Sequence, residues 1–138
     1  MTRTFYVDAA RAKNNKKYWK CSVVERTTEG KENVANFFNG KAHYSIEAEA
    51  YGILSTVFWL IEQKEQGKVT IYSDCRPLTR NKFKDIKRRK KLLAKGKYFS
   101  RAMEFLELAK EITKKNGILL TIGWVKGVKN LADYYSRH

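Results

Sequence analysis

Only four aspartates occur in this chain of 138 residues, Asp8, Asp74, Asp85 and Asp133, and three of them sit against apolar segments. Asp8 interrupts Phe5-Tyr6-Val7-Asp8-Ala9-Ala10, whose aromatic and β-branched residues read as a strand. A carboxylate there is disfavoured by β propensity and costly to bury without a partner. Asp74 closes the apolar run 69–73, and in open α/β sheets the carboxyl ends of strands are where ligands bind. Asp133 falls in the first turn of a short terminal helical pattern, and Glu49 in the first turns of a long one. Brought together, such carboxylates repel one another unless a counter-charge is supplied. Mg²⁺ or Mn²⁺ supplies it, because hard cations take oxygen ligands, keep several waters and accept a substrate's phosphates. Two such ions in one site promote phosphodiester hydrolysis. Most of these acids also have a plainer use. Asp74 suits a turn start, Asp133 complements a helix dipole behind an Asn130 cap, and Glu49 suits a solvated helix face. Asp8 has no such use.

These acids need elements to hold them. Residues 4–10, 18–27 and 32–39 read as three strands separated by polar turns, the last closed by Asn39-Gly40. The period then changes. Ile46, Ala50, Ile53, Leu54, Val57, Leu60 and Ile61 recur at helical spacing, with Ser45 as the expected N-cap and Gly67 as the expected stop. A strand over 69–73, a helix over 100–115 ended by Asn116-Gly117, a strand over 118–125 and a short helix over 130–137 follow. The order β-β-β-α-β-α-β-α favours an antiparallel meander extended by parallel strands through crossovers. The expected fold is α/β: a mixed five-stranded sheet, three strands antiparallel and two parallel, flanked by helices. One domain over 1–138 is expected.

Charge narrows the partner. Twenty-nine Lys and Arg face fourteen Asp and Glu, giving +15. Nucleic acid is the usual partner of such a balance, since each neutralised phosphate releases counterions. The positive charge gathers at 80–98, where Lys87-Arg88-Arg89-Lys90-Lys91 runs unbroken and Asp85 is the one acid. Adjacent cations repel, so a polyanion gives a reason to keep them together. Cys21, Cys75, His43 and His138 show no zinc-ligand spacing. The two thiols read as free, in a reducing cytosol. No apolar run approaches the roughly 20 residues of a membrane span, and the first residues lack the apolar core of a signal peptide. A cytoplasmic, monomeric protein without membrane attachment is expected.

The motifs carry a resemblance to type 1 ribonuclease H along essentially the whole chain. Val7-Asp8-Ala9-Ala10 resembles the family's first-strand aspartate and the small residues after it. Glu47-Ala48-Glu49-Ala50-Tyr51-Gly52 resembles its helix motif, and Tyr72-Ser73-Asp74-Cys75 its Ser-Asp motif at the fourth strand. Trp124-Val125-Lys126-Gly127 with Asn130-Leu131-Ala132-Asp133 resembles its closing motif. The resemblance implies a metal-dependent endonuclease that cuts the RNA strand of RNA–DNA hybrids. It implies that Asp8, Glu49, Asp74 and Asp133 are catalytic and ligate two Mg²⁺ or Mn²⁺ ions. Glu47 and Glu49 stand about 200° apart on a helix, so one of them serves the site. Periodicity does not choose between them, and the motif register selects Glu49.

Departures from the family pattern bear on substrate contacts. Val128 stands where a loop histidine associated with product release is usual, Ser45-Ile46 replaces an Asn pair before the helix glutamate, and Lys13-Asn14-Asn15-Lys16-Lys17 replaces a glycine-rich turn. The substrate-binding residues are therefore expected among Asn14, Asn15, Ser45, Lys87, Arg88, Arg89, Lys90, Lys91, Lys126 and Asn130. Some family members carry a basic insertion that grips the hybrid, and 80–98 lies in the corresponding stretch. Val128 favours one alternative, a weak or inactive domain kept for nucleic-acid binding; a DNA nuclease of the same fold is a further one.

Overall fold

Residue parity organises the sheet. Along the first strand, β1 (Arg3–Arg11), Phe5 and Val7 are buried in the main core, while Tyr6 and Asp8 alternate with them onto the other face. The computed structural model describes residues 2–11, 18–39, 45–79 and 97–137. Within these, β2 (Trp19–Arg26) and β3 (Glu32–Asn39) pair antiparallel in sequence order, and β1 pairs antiparallel with β2. β4 (Gly67–Ser73) then pairs parallel with β1, and β5 (Ile118–Trp124) parallel with β4. The sheet order is β3-β2-β1-β4-β5, the mixed five-stranded sheet that the alternation of periods predicts.

Two long helices cover the Phe5–Val7 face. Helix α1 (Ser45–Glu62) buries Ala50, Ile53, Leu54, Val57 and Leu60. Helix α3 (Lys97–Lys115) buries Ala102, Leu106 and Ala109. Val7, Val69 and Ile71 meet them from the sheet. Fully burying an aliphatic side chain of this kind contributes about 1.5–3 kcal/mol. Gly52 lets α1 approach β2, because a Cβ at that position would overlap the buried Cys21 sulfur. Both cysteines are free.

Several boundaries differ from the sequence reading. Ser45 is itself the first helical residue of α1. That helix ends before Gly67: Lys64 takes the left-handed conformation (φ 57°). Its N–H donates to Ile61 O, and Glu65 N–H donates to Leu60 O. This is a Schellman ending, and Gly67, at φ 102°, opens β4 instead. A four-residue helix, α2 (Arg76–Thr79), follows β4, and a 3₁₀ turn spans Gly127–Lys129. Both are too short to leave a periodicity. The terminal helix, α4 (Ala132–Arg137), starts two residues later than its sequence pattern. No helix among the described residues is long and apolar enough to cross a membrane.

Candidate active site

The parallel ladder between β1 and β4 ends at the pair Val7–Ser73, and Asp8 and Asp74 are the next residue on each strand. The two carboxylates therefore lie at the carboxyl ends of adjacent parallel strands, where the sheet opens. Other elements fix the backbones around them. Val7 O accepts the Asn130 Nδ2–H at 2.9 Å, and Ser73 O accepts the Val125 N–H at 3.0 Å. Asp74 O accepts the Trp124 indole N–H at 3.2 Å, and Ser73 Oγ accepts the Cys75 N–H at 3.1 Å.

Helix α1 brings the third acid. Glu49 is buried, and one carboxylate oxygen each from Asp8, Glu49 and Asp74 lies within 4.8 Å of the others. Glu47, also buried, points instead toward α3, with its Oε2 3.9 Å from Arg101 Nη1. The cluster is electrostatically incomplete. Burial, and then the charge of Asp74, pushes the Asp8 carboxyl up to about 6. Burial followed by the charges of Asp74 and Asp8 drives Glu49 well above the ordinary carboxylate range. Burial and then the charge of Asp133 raise Asp74. Glu49 Oε1 is buried with no hydrogen-bond partner, a costly state for a carboxylate oxygen. A divalent cation fits this set of donors: it would satisfy the orphaned oxygen and offset the mutual repulsion.

Helix α4 closes the other side. Asp8 Oδ1 accepts its neighbour Ala9 N–H at 3.0 Å, and Asp8 Oδ2 accepts the buried Ser136 hydroxyl at 3.1 Å. Asp133 stands at the rim, with its side chain 35% exposed. It is near enough to hydrogen-bond Asp8 and to act on the charge of Asp74. Its Oδ1 is also 3.1 Å from Arg137 Nε.

The expected substrate contacts fall differently. Asn130 is buried, donating to Val7 O and accepting the Ala132 N–H at 3.0 Å, so it fastens α4 to β1. Ser45 is exposed at the start of α1, and Lys126 is exposed before the 3₁₀ turn. Val128 is 93% exposed on that turn. Asn14, Asn15, Lys87, Arg88, Arg89, Lys90, Lys91, His43, Asp85 and His138 lie outside the described residues. Ser136 and Arg137 escaped the sequence reading. Their spacings of three and four residues from Asp133 were the available signal, since such spacings share a helix face.

No protein-family model matches the chain, and no curated protein is similar to it by sequence. Solved structures do match. The chain is similar to the RNase H1 of the halophilic archaeon Halobacterium salinarum NRC-1, with TM-score 0.64 and 14% identity over 94% of this chain and 89% of that one. It is likewise similar to the N-terminal RNase H domain of a Mycobacterium tuberculosis protein, solved as a maltose-binding-protein fusion. There the TM-score is 0.60 and identity 12%, over 94% of this chain and 85% of that one. The fold is therefore the ribonuclease H fold, an α/β architecture that carries the acids at its open sheet end.

Proposed function

We propose that this protein is a divalent-metal-dependent endonuclease of the ribonuclease H type, hydrolysing the RNA strand of RNA–DNA hybrids. The observation that carries the reading is the buried triad Asp8, Glu49 and Asp74 with its orphaned Glu49 oxygen. Its position at the open sheet end of a +15 chain and the likeness to two RNase H structures support it. Asp8, Glu49 and Asp74 would hold Mg²⁺ or Mn²⁺, with Asp133 joining from the rim. When bound, two such ions activate the attacking water and stabilise the leaving oxygen of a phosphodiester.

The chain's own residues hold the acids in place. Ser136 and the Ala9 amide fix both oxygens of Asp8, Trp124 fixes the backbone of Asp74, and α1 fixes Glu49. Lys126, Ser45, Asn14, Asn15 and the run Lys87, Arg88, Arg89, Lys90 and Lys91 would grip the duplex, chiefly through phosphates, which position it without reading sequence. Selection of the RNA strand would come from contacts to 2′-hydroxyls. In this reading the protein works as a cytoplasmic monomer, one domain with a basic insertion near 80–98.

The test is cleavage of labelled hybrid, duplex RNA and duplex DNA with Mg²⁺, Mn²⁺ or EDTA. Hybrid cleavage that needs the metal, and that falls at least about a hundredfold in Asp8→Asn and Asp74→Asn, is expected; mutation of catalytic groups costs on this order or more. Tight hybrid binding without cleavage in either metal, or cleavage of DNA alone, rejects the proposal.

A further inference from the structure

Among the described residues, Asp133 alone of the four acids has a cation of its own. Its Oδ1 lies 3.1 Å from Nε of Arg137, one helical turn along α4. The ion pairs of the described residues include none to Asp8, Glu49 or Asp74. The Arg137 side chain is 70% exposed, so little packing holds the guanidinium in place. It has no acceptor atoms and stays charged at any physiological pH. Water and salt weaken such an exposed pair, so a cation that binds Asp133 can take its place.

We propose that Arg137 is a resident counter-cation of the site: it pairs with the Asp133 carboxylate in the ion-free protein, and a divalent ion that uses Asp133 competes with it. The inference rests on the metal-dependent reading above and adds an order to it. An ion entering among Asp8, Glu49 and Asp74 breaks no ion pair of the described residues and satisfies the orphaned Glu49 oxygen. A second ion that draws on Asp133 through Oδ1 competes with the guanidinium, and one that uses Oδ2 binds beside that positive charge. The two positions therefore differ in affinity for a reason written into α4, and Arg137 weakens only the second. Among the described residues the geometry distinguishes the four acids: three have no cationic partner, and one is paired with a cation.

The experiment is a Mn²⁺ titration of the full chain, counting bound ions from the EPR signal of free Mn²⁺. It compares the parent with Arg137→Gln, Arg137→Lys and Asp133→Asn. Thermal unfolding without metal checks that each variant is folded. Two classes of site are expected in the parent. Arg137→Gln should tighten the weaker class about three- to tenfold, the scale of one partly exposed like charge beside a divalent ion, and leave the stronger class unchanged. Arg137→Lys should stay near the parent, and Asp133→Asn should lose the weaker class. A single class in the parent that becomes two in Arg137→Gln also supports the inference. Unchanged or weaker Mn²⁺ binding in Arg137→Gln overturns it while leaving metal binding intact. A parent that takes up no Mn²⁺ overturns the functional reading, and the inference with it.

Discussion

Asp8 shows most directly how a single residue links stability to the site. Its carboxyl is raised from 3.8 to about 6, so the folded chain holds that proton more tightly than the unfolded chain does. The resulting stabilisation is complete below the unfolded value and is lost as pH rises through about 6. In EDTA, the melting temperature of the parent should therefore fall between about pH 4 and pH 6.5 more steeply than that of Asp8→Asn. Mn²⁺ at neutral pH should restore what was lost. Parallel profiles for the two proteins would reject this account. Glu49 makes the complementary case. Glu49→Gln removes a buried ionisable carboxyl that faces two others. It should raise metal-free stability at pH 7.5 by about 0.5–2 kcal/mol, the usual trade at a functional residue, and abolish the stabilisation by Mn²⁺. Denaturant unfolding with and without metal measures both, and a variant less stable than the parent in EDTA contradicts the expectation.

At the level of elements, two joints bear most of the positioning. Asn130 ties α4 to β1 through Val7 O and caps the helix through Ala132 N–H. Asn130→Ala leaves a buried carbonyl unpaired and should cost about 1–3 kcal/mol, with looser Mn²⁺ binding because Ser136 no longer reaches Asp8. Hydrogen exchange at the Ser136 and Arg137 amides reports the detachment, and unchanged protection there would reject it. At the other joint, Gly52→Ala should destabilise by about 1–3 kcal/mol through overpacking against Cys21. A Cys21→Ala background should recover part of the loss, since neighbouring sites do not add. Equal losses in both backgrounds would show that the close approach is not the cause.

These joints mark the limit of what the sequence disclosed. Strand and helix identities were legible because burial imposes periods of two and of about 3.6 residues on long segments. Asp8 was legible because nothing local accounts for it. Glu49 against Glu47 was not decided by periodicity, because both flank the apolar stripe; the structure parts them by what each meets, the open sheet end or Arg101. The bond from Asn130 to Val7 O was hidden because an asparagine beside a motif looks the same whether it faces a ligand or a backbone carbonyl more than a hundred residues away. The Schellman ending at Lys64 was hidden because only its hydrogen bonds distinguish it from a surface lysine.

The whole molecule is governed by its charge. A net +15 should make hybrid affinity fall at least about a hundredfold between about 50 and 200 mM salt, with little dependence on base sequence. Fluorescence anisotropy across a salt series measures this, and a flat response would mean that the excess charge does not face the duplex.

The ladder between β1 and β4 carries a further consequence. Val7 pairs with Ser73, and Asp8 and Asp74 follow one step beyond. Side chains alternate between faces, so losing or gaining one residue within β1 would send Asp8 under α1 and lift Val7 out of the core. A change of two residues keeps the sides. Length variation in this strand among related proteins should therefore come in even steps, and an odd step should require a bulge to restore the count.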